Sequence, residues 1–220
     1  MKHEMESCFG KTPRDWQYDV CCHLIEMGIP KARVQPEAVF LVQTTGGGKS
    51  LVRDTVAAAT KGVTLSISPL LSLGADQESA LNLEVYDDCG PIGAYHLDEF
   101  STVPTKQTSI VKEALALTSD TTKCIILFSS PQAIVENKVW CDMVAKLIDN
   151  GILRLVCVDE VHLFCSFGLS IRGEIAALKP CLFSKLVVPS DDGSTTTVCP
   201  VLVMTATATK NTVEQFTKLT

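Results

Sequence analysis

The stretch Ala38-Val39-Phe40-Leu41-Val42-Gln43-Thr44-Thr45-Gly46-Gly47-Gly48-Lys49-Ser50 decides how this chain is read. Its first five residues predict a short apolar strand, and residues 51–59 predict a helix leaving the turn. The three glycines between them lack a Cβ, so the backbone can fold tightly with its N–H groups turned inward around an anion. The following helix aims its positive N-terminus at the same point. Thr45, Gly46, Gly47, Gly48, Lys49 and Ser50 are therefore the expected phosphate-binding residues. Lys49 would reach the β- and γ-phosphates of ATP, and the Ser50 hydroxyl would hold Mg²⁺. Gln43 stands where the general G-x-x-x-x-G-K-[ST] pattern opens with glycine, so only part of that pattern is met. The competing reading is a glycine-rich strand-to-helix turn with a solvated lysine.

Working outward, short apolar runs alternate with helix-compatible segments. Strands are expected over 38–42, 63–67, 92–95, 123–128, 152–158 and 201–204, and helices around 50–60, 70–83, 107–117, 139–150 and 171–178. This alternation predicts an α/β fold, a parallel sheet covered by helices on both faces. Ligands of such sheets bind at the C-terminal strand ends, where the glycine loop falls. The polar stretches 98–106 and 189–197 read as surface loops. The predicted organisation is a helical N-terminal segment, 1–35, followed by one larger lobe, 36–220.

At 220 residues the chain is long enough for a substantial core, and 46% hydrophobic with 20% charged residues suits a globular protein. A net charge of −6 argues against a purely electrostatic nucleic-acid binder. Ten cysteines include no C-x-x-C pair, and most lie in apolar runs, which favours a reducing compartment over disulfides. There is no apolar N-terminal signal and no stretch long enough to span a membrane. These features predict an intracellular protein, nuclear if eukaryotic and otherwise cytoplasmic, with no membrane partner.

A second apolar strand, Ile152-Leu153-Arg154-Leu155-Val156-Cys157-Val158, ends in Asp159-Glu160-Val161-His162. Two carboxylates at a strand tip suit a Mg-nucleotide site. Asp159 would hold the metal, and Glu160 would orient and deprotonate the water attacking the γ-phosphate. A third strand, Val201-Leu202-Val203-Met204, runs into Thr205-Ala206-Thr207, whose hydroxyls would link the carboxylates to neighbouring groups.

In this order, the pieces resemble a superfamily 2 helicase, and within it the first RecA-like lobe of a RecQ-type DNA helicase. Ser68-Pro69-Leu70-Leu71-Ser72-Leu73 with Asp76-Gln77 carries the distinction, since DEAD-box RNA helicases have Pro-Thr-Arg-Glu-Leu there. Thr45–Ser50, Met204–Thr209, and Phe9-Gly10 with Arg14 and Gln17 also fit, so the likeness runs from about residue 9 to the C-terminus. The resemblance implies a RecA-like P-loop NTPase lobe, an ATP-dependent 3′-to-5′ DNA helicase activity, and Arg14 and Gln17 as contacts to adenine. It implies His162, Thr205 and Thr207 as coupling residues. It also implies single-stranded or junction-containing DNA as partner, and a second RecA-like lobe, in the same or a partner chain, without which hydrolysis would be very slow. No segment here corresponds to that lobe, so the sequence is expected to be a fragment or a truncated relative.

The chain departs from the family after Asp-Glu-Val-His. The usual aromatic-rich loop with Gln, Trp, His and Asp is replaced by Leu163-Phe164-Cys165-Ser166-Phe167-Gly168-Leu169-Ser170-Ile171-Arg172. Phe164 and Phe167 would stack on bases and Arg172 contact the nucleic acid, or both phenylalanines would be buried core. Thr44 stands for the family's Pro, and Ser129-Ser130-Pro131-Gln132 for its Thr-Pro-Glu. Two alternatives stay open: another superfamily 2 ATPase such as an RNA helicase, and a degenerate regulatory nucleotide-binding module.

Overall fold

A computed structural model describes residues 6, 8–28, 32–33, 38–83, 92–166, 169–189 and 195–219. Its strands are β1 (Ala32–Arg33), β2 (Ala38–Val42), β3 (Gly62–Ile67), β4 (Ile92–His96), β5 (Cys124–Ser129), β6 (Leu153–Val158), β7 (Val187–Pro189), β8 (Thr195–Thr197) and β9 (Val201–Thr205). Six of them form one wholly parallel sheet in the order β2-β9-β6-β3-β5-β4. The helices are α1 (Asp15–Met27), α2 (Lys49–Thr60), α3 (Leu71–Leu83), α4 (Leu97–Phe100), α5 (Pro104–Leu115), α6 (Pro131–Glu136), α7 (Lys138–Asp149), α8 (Val161–Ser166), α9 (Leu169–Cys181) and α10 (Lys210–Leu219).

Strand alternation sorts the core into two faces. On β6, Leu155 and Cys157 point to one face and Val156 and Val158 to the other; on β9, Leu202 and Met204 oppose Val201 and Val203. Leu24 and Met27 of α1, Val52 and Val56 of α2 and Leu81 of α3 cover the first face. Ile110 of α5, Trp140 and Leu147 of α7, Ile175 of α9 and Phe216 of α10 cover the second. Each fully buried side chain of this kind stabilises the fold by roughly 1.5–3 kcal/mol. Both faces being covered explains why the strands read as continuous apolar runs.

Several helix starts are set by short-range chemistry. Pro104 and Pro131 open α5 and α6, where the missing N–H has no intrahelical partner to lose. The Ser130 hydroxyl accepts from the Ala133 N–H, and the Asn137 side chain from the Val139 N–H. The edge strand β4 is protected by Asn82 of α3, which both donates to and accepts from the Ala94 backbone.

Sequence reading misses three features. The segment 98–106 contains most of α4 and the start of α5, and Asp98 accepts from the Ser130 N–H at 2.8 Å and from its hydroxyl. Polarity suggests a loop, but this carboxylate is committed to a neighbouring helix start. Thr195–Thr197 is a strand, pairing antiparallel with both β7 and β1. β-Branched threonines suit a pleated strand whatever their polarity. Cys8 is disulfide-bonded, against a reading that favours a reducing compartment over disulfides, while Cys21, Cys22, Cys124, Cys141, Cys157, Cys181 and Cys199 are free. Among the described residues, no helix is long and apolar enough to cross a membrane.

Candidate nucleotide site

Sheet order brings three distant motifs together. The glycine loop leaves β2, Thr205 ends β9, and Asp159 and Glu160 follow β6, and these three strands are neighbours. Val42 pairs with Thr205 and Val158 with Val203, so all three chain segments emerge at the same C-terminal edge.

Within the loop, Gly46 and Gly48 take left-handed backbone conformations, with φ of 74° and 90°. Gly48 is also the N-cap of α2. A Cβ on Gly47 would lie 2.8 Å from the Thr44 carbonyl oxygen, so the loop closes more tightly than any other residue allows. Lys49 is buried, and its ammonium donates to the Gln43 carbonyl at 2.8 Å and the Thr44 carbonyl at 3.4 Å. It thus bridges the loop from within. Beside the loop lies a cleft of about 370 Å³ whose lining includes Phe9, Lys11, Gly46, Ser50, Leu51 and Leu81.

At the tip of β6, Asp159 is 4% exposed. Burial pushes its carboxyl above the usual range, while the Arg53 guanidinium, the Glu160 N–H and Lys49 pull the other way. Glu160 sits in the left-handed region at φ 50°, a conformation costing a non-glycine residue on the order of 1 kcal/mol. The chain turns sharply there, and the Glu160 N–H donates to Asp159 Oδ1 at 2.8 Å. Glu160 Oε2 lies 3.2 Å from His162 Nδ1. That nitrogen is aligned with Thr205 Oγ1 instead, at 2.8 Å, so the buried carboxylate oxygen has no hydrogen bond among the described residues. The Thr205 hydroxyl donates on to the Thr207 carbonyl at 2.8 Å. Glu160, His162, Thr205 and Thr207 therefore form one contiguous chain of contacts.

Gln17, on the first turns of α1, is 3% exposed and reaches the loop. Its Oε1 accepts from the Arg14 N–H at 2.8 Å, and its Nε2 donates to the Gly48 carbonyl at 3.0 Å. Arg14 Nη1 donates to the Gly47 carbonyl at 3.2 Å. Both residues expected at adenine lie against the loop backbone.

Sequence reading misses Arg53. One turn after Lys49 on α2, it is 1% exposed yet carries a full charge. Its guanidinium pairs with Asp54 at 2.6 Å, donates to Gln77 Oε1 at 2.6 Å and Ser66 Oγ at 3.4 Å, and lies 4.8 Å from the Phe128 ring centroid. On this face β3 contributes Thr64 and Ser66, which separate two apolar clusters, and Arg53 fills the polar seam between them. The signal is present in Gln77, which the Asp76-Gln77 pair marks without assigning it a partner.

The expected nucleic-acid residues fare differently. Phe164 is 2% exposed and packs in the core against the sheet, so the base-stacking expectation is corrected for it. It shares the inner face of α8 with Val161, three residues earlier. Phe167 and the side chain of Arg172 lie outside the described residues.

For a divalent cation, Ser50 and Asp159 offer hard oxygen donors, and among the described residues no group of three or more His, Cys, Asp or Glu competes for one. This donor set fits Mg²⁺, which keeps most of its water and takes one or two protein oxygens.

No protein-family model matches the chain. It is 29% identical over 188 residues to a "Putative ATP-dependent DNA helicase Q1" of Caenorhabditis briggsae, covering 86% of this chain and 27% of that protein. It is 31% identical to the "ATP-dependent DNA helicase Q1" of Rattus norvegicus over 70% of this chain and 23% of the relative. The chain thus spans about a quarter of the length of the curated relatives it matches. Among solved structures, the DUF1998 helicase MrfA bound to DNA and AMPPNP superposes over 99% of this chain and 28% of its own, with a TM-score of 0.62 at 18% identity. That likeness establishes the fold, a parallel sheet with helices matching RecA-like helicase cores. Over most of its length the chain is homologous, at about 30% identity, to the RecQ DNA helicases, and its fold matches that of superfamily 2 helicase lobes.

Proposed function

We propose that this chain is the ATP-binding and ATP-hydrolysing motor lobe of a RecQ-like 3′-to-5′ DNA helicase, residues 36–220 forming the lobe proper and 1–35 its nucleotide-side flank. The observation that carries the reading is the meeting of the glycine loop, the two carboxylates and the threonine relay at three adjacent strand ends. Thr45, Gly46, Gly47 and Gly48 present backbone to the phosphates, and Lys49 exchanges its loop carbonyls for phosphate oxygens when the nucleotide enters. Ser50 and Asp159 would hold Mg²⁺, which supplies charge neutralisation at the β- and γ-phosphate oxygens when bound. Glu160, whose Oε2 is buried with no hydrogen bond among the described residues, accepts a proton from the attacking water. His162 passes any movement of Glu160 to Thr205 and Thr207. Full turnover requires a second RecA-like lobe, in the same or a partner chain, because such lobes supply an arginine finger worth roughly 10³–10⁵ in rate. Single-stranded or junction-containing DNA is the proposed partner.

Burial of Phe164 favours one other reading, a regulatory nucleotide-binding module without strand coupling. Titration calorimetry of Mg-ATP against the wild-type chain and Lys49→Ala tests what both share. Lys49→Ala should lose binding by about 100-fold or more, the loss of a charge-assisted contact of roughly 3 kcal/mol. Equal affinity in the two proteins removes the phosphate loop as the site. Stimulation of hydrolysis by oligonucleotides then separates the motor from the regulatory module.

A further inference from the structure

We propose that Cys141 and Cys181 form a redox-active thiol pair, a modification site at which a low-molecular-weight disulfide links α7 to the end of α9. The inference is independent of the nucleotide reading above. Seven cysteines are free among the described residues, and they divide by burial. Cys21, Cys124, Cys157 and Cys199 are buried, and burial pushes the Cys21 and Cys124 thiols up to about 12, away from thiolate chemistry. Cys22, Cys141 and Cys181 are half-buried. Cys22 follows Cys21 on α1, where consecutive side chains do not face each other, and Cys21 Sγ is turned onto the Val52 carbonyl at 3.7 Å. Cys141 and Cys181 differ: they come from two helices, and their side chains lie within hydrogen-bond reach of each other.

The pair is placed to react in a set order. Cys181 Sγ donates to the Ala177 and Leu178 carbonyls at 3.6 and 3.5 Å. Burial, and after it the Cys141 sulfur, hold the Cys181 thiol above its ordinary range, so Cys181 keeps its proton and Cys141 attacks first. The Cys141 thiolate displaces one sulfur of the small disulfide, which takes up a proton and leaves as a thiol. Cys181 then loses its proton to solvent, attacks Cys141 Sγ in the mixed disulfide and expels the second thiol. The two protein thiols give up two electrons and two protons, and the small disulfide is reduced to two thiols. Closing the bond brings the sulfurs from contact to about 2.05 Å. The end of α9 can yield by that much: Cys181 is its last residue, and Pro180 before it has no N–H to hold the final turn. Lys138 on α7, itself paired with Asp142, and Lys185 just beyond α9 are the cations nearest in charge to these sulfurs. They suit a disulfide bearing carboxylates, such as glutathione disulfide. The segment between the two cysteines carries β6, Asp159, Glu160 and α8, so the bond closes the chain into a loop that includes both carboxylates of the candidate site.

The test is incubation of the full chain with glutathione disulfide, followed by alkylation and peptide mass spectrometry without reduction. The wild type should yield a peptide linked through Cys141 and Cys181, while Cys22, a single half-buried thiol, ends at most as a mixed disulfide. The melting temperature should rise by about 5–15 °C, because the bond closes a loop in the unfolded chain, and the rise should be absent from Cys141→Ser. Cys181→Ser should accumulate glutathione on Cys141, since the resolving sulfur is gone. Cys141→Ser should take glutathione on Cys181 at least about ten-fold more slowly. Serine is close in size to cysteine, and the linked wild-type peptide answers the question even if a variant does not fold. Modification of Cys22 with no Cys141–Cys181 peptide in the wild type overturns the pair. Equal modification of the two single variants overturns the order of attack, and a link without a rise in melting temperature overturns the tie between the helices.

Discussion

The glycine loop and the segment beyond Asp159-Glu160 both leave the C-terminal end of a strand of one sheet, yet they are held in opposite ways. The loop is held by polar contacts: Lys49 on the carbonyls of Gln43 and Thr44, Gln17 on Gly48, Arg14 on Gly47. Beyond the carboxylates, α8 is held by apolar burial of Val161 and Phe164, with the His162–Thr205 hydrogen bond as a polar tie to β9. Specific chemistry can be built on the first kind of support without moving the core. In the second, any shift of His162 must be accommodated by side chains packed against the sheet, which makes it the harder place to read.

The largest effect that tests this contrast is on turnover. Glu160→Gln keeps the shape of the side chain and removes its ability to accept a proton. In the full-length protein it should lower ATP hydrolysis by about 10²–10⁴-fold while leaving Mg-ATP affinity within about three-fold. Steady-state rates and calorimetry on the same preparation measure both. Hydrolysis above a tenth of the wild-type rate would place the base elsewhere and reduce Glu160 to part of the relay.

Next in size is a stability effect at Arg53, the polar element inside the apolar support of α2. Replacing it with methionine takes the guanidinium away from Asp54 Oδ1 in a mostly buried position and opens the seam at Ser66 and Gln77. The expected cost is about 3–5 kcal/mol, the usual penalty for breaking one side of a buried ion pair. Urea denaturation gives the number. Adding Asp54→Asn to the same chain should recover part of it, because the carboxylate charge is then gone as well; a double variant no more stable than the single one would show that packing over Phe128 matters more than the charge.

How much of this is legible in the sequence follows from the same contrast. All six parallel strands fall within one or two residues of the expected positions, because fully buried strands leave continuous apolar runs. The turn of the loop is legible because its glycines have a local reason, the φ of 74° and 90° at Gly46 and Gly48. Arg53 is not legible, since its partners Ser66, Gln77 and Phe128 come from three other elements. Thr195–Thr197 escapes because its partners include β1, at Ala32 and Arg33, a distant part of the chain. Phe164 misleads for a subtler reason, since its run resembles an aromatic loop. Taken as a helix, the three-residue spacing from Val161 sends both inward.

The smallest expected effect tests the second region directly. Phe164→Leu keeps an apolar side chain in the core and should cost about 1–1.5 kcal/mol in urea denaturation. If Phe164 is purely structural, stimulation of the full-length ATPase by single-stranded DNA should stay within about two-fold of wild type at a temperature where both are folded. Arg172→Ala, a few residues beyond α8, should instead lower stimulation several-fold with the unstimulated rate unchanged, as expected when one phosphate interaction is removed. ATPase rate against oligonucleotide concentration, with an RNA of the same sequence as comparison, reads all of this at once. A Phe164→Leu variant that folds but loses stimulation would mean that packing under α8 transmits the nucleic-acid signal to Glu160 through His162. The two regions would then be one mechanical unit rather than two kinds of support. Absence of stimulation in wild type, with hydrolysis intact, would favour the regulatory module over the motor.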